Sequence, residues 1–132
     1  MEDSILTLTT LDLTSNEIGD DGAQHLGDAL KYNTNLTTLI LEHNEIEIDG
    51  VQRFADILQH YTTLTTLNLG FNEIGVVGAQ QLGDALKHNT TLTTLDLAGN
   101  DFGHAGAEHF GNALKHNTVI ATLSSSTQYL DL

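Results

Sequence analysis

The sequence predicts an α/β solenoid, a short horseshoe with a parallel sheet on its concave face and helices on its convex face. Two observations carry this. One hydrophobic frame recurs every 28 residues, at Leu11, Leu39, Leu67, Leu95 and Leu123. Within each period the apolar spacing changes from two residues to three and four, the change from strand to helix. A fixed period means that each repeat covers its neighbour's apolar face, so the chain is a one-dimensional stack. Stacks of this kind present a surface, and the unbroken period makes residues 1–132 a single domain.

The first half of each period is a short strand and a turn. The string Leu8-Thr-Thr-Leu11-Asp-Leu13-Thr-Ser-Asn16-Glu-Ile18 returns at Leu36 to Ile46, Leu64 to Ile74 and Leu92 to Phe102. The last two Leu of each string share one strand face, and β-branched Thr favours the extended backbone between them. Asn16, Asn44, Asn72 and Asn100 follow where the chain turns inward, and a stacked ladder of amides would satisfy buried loop groups.

The second half is helical. The expected buried stripes are Ala23, Leu26, Ala29, Leu30; Val51, Phe54, Ile57, Leu58; Ala79, Leu82, Ala85, Leu86; and Ala107, Phe110, Ala113, Leu114. Asp20, Asp21 and Asp49 near the helix starts, and Lys31, Lys87 and Lys115 near the ends, complement the helix dipole. Asn33, Asn89 and Asn117 suit a left-handed residue closing each helix. Gly27, Gly83 and Gly111 cost helix propensity, which points to close packing between neighbouring helices.

The pattern Leu-x-x-Leu-x-Leu-x-x-Asn-x-Ile, with Gly six residues after the Asn at Gly22, Gly50, Gly78 and Gly106, resembles the leucine-rich repeat family. The period of 28 with a true helix resembles its ribonuclease-inhibitor type, and more loosely the leucine-rich effector proteins of intracellular bacteria. The resemblance runs from about Leu8 to Leu123 as four full repeats and a degenerate fifth. In that fifth repeat Ser125 replaces a core Leu and Gln128 replaces the Asn, as a terminal cap would. No helix precedes the first strand, so Ile5, Leu6 and Leu8 are expected to be poorly covered. The resemblance implies a non-enzymatic protein-binding module, a regulator or inhibitor that covers a functional site of its partner. The alternative is a recognition segment of a larger sensor or scaffold. Ribonuclease inhibitors are long and cysteine-rich, whereas this chain has 132 residues and no Cys, which makes ribonuclease a poor choice of partner.

Charge narrows the partner. With 18 acidic residues against 4 basic ones the net charge is −14, which opposes nucleic acid and anionic lipid. The absence of Cys excludes disulfides and thiolate sites. Met1-Glu-Asp-Ser has no signal-peptide character, so the expected location is cytoplasmic, a host cell's cytosol included under the effector resemblance.

Neither catalysis nor a cofactor is expected. His25 and His109 share one helical position, and His88 and His116 share the helix-end position of Tyr32, a register that repeat duplication leaves on a solvated convex face. His104, His109 and His116 lack metal-ligand spacing, and His43 has no nucleophile in its own repeat. Gly75-Val-Val-Gly78 lacks the Lys of a phosphate loop. Glu17, Glu45, Glu73 and Asp101 form an acidic column along one rim, thickened by Asp20, Asp21, Glu47 and Asp49, but side chains spread over separate strands make a poor calcium cage.

The binding surface is expected where copies of the frame differ. Thr10, Thr38, Thr66, Thr94 and Thr122 form a uniform column. Beside it run Asp12, Ile40, Asn68, Asp96, Ser124; then Thr14, Glu42, Gly70, Ala98; then Ser15, His43, Phe71, Gly99. Ile40 and Phe71 are apolar where their counterparts are polar or small, and with His43 they form the expected anchor cluster. Five strands of about five residues present about 300 to 350 Å², short of the roughly 800 Å² per partner of a standard interface. The rim must therefore take part. The expected partner-binding residues are Thr38, Ile40, Glu42, His43, Thr66, Asn68, Phe71, Thr94, Asp96, Glu45 and Glu73, facing a protein with a basic or mixed surface, enzymes included.

Overall fold

A computed structural model describes residues 7–60 and 62–124. Five strands alternate with four helices: β1 Thr10–Asp12, α1 Gly19–Leu30, β2 Thr38–Ile40, α2 Ile48–His60, β3 Thr66–Asn68, α3 Gly75–Leu86, β4 Thr94–Asp96, α4 Gly103–Leu114 and β5 Thr122–Ser124. The strands form one parallel sheet in sequence order, and its register pairs each Leu of the frame with the Leu one period on. Helices pack only on their neighbours in chain order, α1 on α2, α2 on α3 and α3 on α4, as a one-dimensional stack requires.

The core lies between sheet and helices. Leu39, Leu41, Leu67, Leu69, Leu95 and Leu97 are fully buried from the strand side, and Phe54, Ile57, Leu82 and Leu86 meet them from the helix side. Burial weakens toward the ends: Leu11 and Leu13 are half-buried and Leu8 is 46% exposed. Ile5, Leu6, Ser125 and Gln128 lie outside the described residues.

The expected Asn ladder is present. Asn44 Oδ1 accepts the backbone N–H of Asn16 and Ile18, Asn72 Oδ1 those of Asn44 and Ile46, and Asn100 Oδ1 those of Asn72 and Ile74, at 2.8 to 3.3 Å. Their Nδ2 groups donate back to carbonyls such as Leu13, Leu41 and Leu69. Each amide thus closes its own turn and its neighbour's. On the opposite rim the Oγ1 groups of Thr37, Thr65 and Thr93 donate to the carbonyls of Thr9, Thr37 and Thr65.

Four expectations need correction. The strands are three residues long, so their face covers only about 200 to 240 Å². Asn33, Asn89 and Asn117 are not left-handed, since none is among the positive-φ residues. They end the helices through the side chain: Asn89 Oδ1 accepts the N–H of Thr91 and Leu92, and Asn89 Nδ2 donates to Leu58 of the previous repeat at 2.7 Å. Ala29, Ala107 and Leu114 are exposed despite their place in the stripes, because the outermost described helices each have a neighbour on one side only. Last, the helical glycines are not equivalent. A Cβ at Gly27 would strike the Arg53 stem, and one at Gly83 would press on the His109 carbonyl, whereas one at Gly111 would meet nothing within 4 Å.

Candidate functional site

The turns that leave the C-terminal ends of the strands carry the candidate site. The ladder of the sheet continues into them through Ser15 N–H to Glu42 O, His43 N–H to Gly70 O and Phe71 N–H to Ala98 O. Ser15, His43, Phe71 and Gly99 all have positive φ, between 54° and 69°. His43 and Phe71 therefore belong to the turn at the rim, not to the strand face on which they were expected. A backbone that repeats this conformation every period stacks the side chains of the column along the solenoid.

In that stack the rings of His43 and Phe71 lie 4.7 Å apart and nearly parallel, at 10°. On the other side of Phe71 is Gly99, where a Cβ would overlap the ring atoms Cδ1 and Cε1. Phe71 is thus held between two repeats while remaining 47% exposed. Its rotamer is restrained before any partner arrives, which lowers the entropy lost on contact.

The neighbouring column is complementary in the same way. Glu42 lies over Gly70, close enough that a Cβ there would sit 3.2 Å from Glu42 Cγ, and Glu42 Oε1 accepts a hydrogen bond from Asn68 Nδ2 at 3.1 Å. Variation among the copies is therefore not simple freedom: Phe71 is matched by Gly99, and Glu42 by Gly70, in the next repeat.

On the sheet, Thr38, Thr66 and Thr94 pair in register, as expected of a uniform platform. Ile40, Asn68 and Asp96 occupy the next column, also in register. Asn68 Oδ1 accepts the N–H of Gly70, Asp96 Oδ1 that of Ala98, and Asp12 Oδ1 that of Thr14. Each side chain closes the backbone two residues on, a local turn bond that Ile40 is unable to make. Ile40 is half-buried. The hydroxyl of Thr14, followed by its N–H, holds the Asp12 carboxyl below its ordinary value.

Glu17, Glu45, Glu73 and Asp101 are all exposed two residues beyond the Ser15–Gly99 column, so the acidic row runs beside the ring stack. The stretches 12–22, 40–50, 68–78 and 96–106 contain carboxylates and no Lys or Arg. Lys31, Lys87 and Lys115 stand at the opposite ends of the helices, at the C-caps of α1, α3 and α4. Among the described residues no group of three or more His, Asp or Glu is placed to hold a metal ion, and no helix is long and apolar enough to cross a membrane.

Ile48, Val76 and Val77 on this rim escaped the sequence reading. They are 43%, 41% and 50% exposed, in the first turns of α2 and α3. The signal was available: Asp20 and His104 are the counterparts of Ile48 and Val76, and Asp21, Asp49 and Ala105 those of Val77.

Comparison with known proteins agrees with this architecture. A family model described as "Leucine Rich repeat" matches residues 5–27, 32–55, 60–83 and 88–111. No curated protein matches the sequence. Among solved structures, one described as "Leiomodin-1 Actin-Binding Site 2 (ABS2)" superposes with a TM-score of 0.88 at 23% sequence identity, covering 99% of this chain and 76% of that one. At that identity the likeness is one of fold.

Proposed function

The chain belongs to the leucine-rich repeat family, a scaffold for protein interaction, and we propose that it is a non-enzymatic regulator or inhibitor that covers a functional site of a partner protein. The observation that carries this reading is Phe71, half-exposed and braced between His43 and Gly99 at the middle of an acidic rim. Aromatic side chains ringed by energetically near-neutral contacts that exclude water are the usual anchors of protein interfaces. The three-residue strands are too small a platform alone, so the contact extends from Thr38, Ile40, Thr66, Asn68, Thr94 and Asp96 across Glu42 and His43 to Glu45 and Glu73. Carboxylates unaccompanied by Lys or Arg favour a partner whose facing surface is basic or mixed. Leiomodin-1 shares the fold at an identity too low to bring actin with it. We also propose a cytoplasmic location, which imaging of a tagged chain tests.

The test compares Phe71→Ala with the wild type in affinity capture from cytosol, followed by binding and activity measurements on whatever protein the wild type retains. A partner anchored here loses about 2 kcal/mol or more of affinity, with little change in folding stability. Equal retention by both proteins would remove Phe71 from the interface, and unimpaired activity of the bound partner would remove the inhibitory role.

A further inference from the structure

Ile48, Val76 and Val77 place exposed apolar side chains where the fold has no use for them. First-turn positions favour carboxylates, which the helix dipole attracts, as Asp20 and Asp21 show in α1. α3 has no acidic residue in its first turn and no side-chain cap. Val76 and Val77 thus forgo a local stabilisation and leave apolar surface in water. Among the described residues the large exposed apolar side chains of this rim lie in the two central repeats, with Phe71 at the sheet end and Ile48, Val76 and Val77 at the helix end. Around them stand Glu45, Glu47, Asp49 and Glu73, all exposed, with no Lys or Arg in the same turns.

We propose that Ile48, Val76 and Val77, framed by these carboxylates, form a docking surface for a cationic amphipathic segment of a partner protein. The inference rests on the protein-binding reading above and extends it from the sheet rim to the first turns of the helices. Apolar contact supplies the affinity, and the carboxylates select Lys and Arg along the segment's polar face. The same charge disfavours other occupants. Two copies of this chain would oppose carboxylates to carboxylates, and an anionic lipid surface would be repelled.

The natural repeats supply the test variants. Ile48→Asp installs the residue that repeat one carries as Asp20, and Val77→Asp installs that of Asp21 and Asp49, so the frame accommodates both. Binding is followed by fluorescence anisotropy at physiological salt with three labelled peptides: an amphipathic Leu/Lys helix former, its Leu/Glu counterpart, and a Gln/Lys peptide of equal charge. The wild type is expected to bind the Leu/Lys peptide at least about tenfold more tightly than either control. The double variant Ile48→Asp/Val77→Asp is expected to lose at least about tenfold for that peptide despite its added negative charge, with an unchanged circular dichroism spectrum and melting cooperativity. Attraction by charge alone predicts the reverse, tighter binding by the double variant, and that outcome or equal binding of the Gln/Lys peptide overturns the proposal. Phe71→Ala in the same assay separates the two readings. Loss with the Asp variants but not with Phe71→Ala leaves the helix-end surface standing and removes the ring as anchor, whereas the opposite pattern removes the helix-end surface.

Discussion

The ring of Phe71 occupies the space a Cβ of Gly99 would need, one repeat away, and Gly99 itself sits at a φ of +69°. Two independent demands therefore fall on Gly99, one steric and one conformational. Gly99→Ala should destabilise the fold by about 1 to 3 kcal/mol. In a double-mutant cycle with Phe71→Ala the steric part disappears and only the left-handed backbone cost, about 1 to 2 kcal/mol, persists. Chemical denaturation of the four proteins checks this, and strictly additive losses would mean the ring moves aside freely.

Leu69 and Leu13 hold the same frame position, but Leu69 is fully buried while Leu13 is only half-buried. Leu69→Ala should cost about 2 to 5 kcal/mol by opening a cavity in the middle of the stack. Leu13→Ala should cost clearly less, because water already reaches that site. Matching denaturation midpoints for the two variants would contradict the burial gradient along the solenoid.

Asn72 accepts the N–H groups of Asn44 and Ile46 and donates to the carbonyls of Leu41, Leu69 and Gly70, all in buried surroundings. Its replacement by Ala strands several buried backbone groups, at about 1 to 3 kcal/mol for each left unsatisfied. Asn16 is exposed and its Nδ2 bonds two carbonyls within its own turn, those of Leu13 and Thr14, so Asn16→Ala should be mild. Hydrogen exchange of the Asn44 and Ile46 amides should rise in the first variant and not in the second.

Glu45 and Glu73 are exposed and belong to the row beside the ring stack. Changing both to Gln should slow association with a basic partner and flatten its dependence on salt while leaving the melting temperature near that of the wild type. Stopped-flow association across a salt series reads this directly, and an unaltered slope would reduce the row to solvated surface.

The period of 28, the strand and helix halves and the Asn ladder were legible in the sequence because each is enforced by a contact between like positions of adjacent copies. When every repeat carries the same Leu and Asn, one repeat's pattern describes its neighbour too, and register follows without knowledge of any side-chain direction. The tertiary structure alone decided what unlike residues do across the same spacing. That Phe71 needs Gly99, that Glu42 lies over Gly70 and that Arg53 crosses Gly27 depend on turn backbone angles and on the lean of each side chain toward the next repeat. It also decided that Asn89 ends its helix through its side chain, because the buried carbonyl of Leu58 comes within 2.7 Å only once two repeats are stacked. Exposure at Ala29, Ala107 and Leu114 had the same origin: a helical stripe tells which face is apolar, while a neighbour on each side decides how much of it is covered.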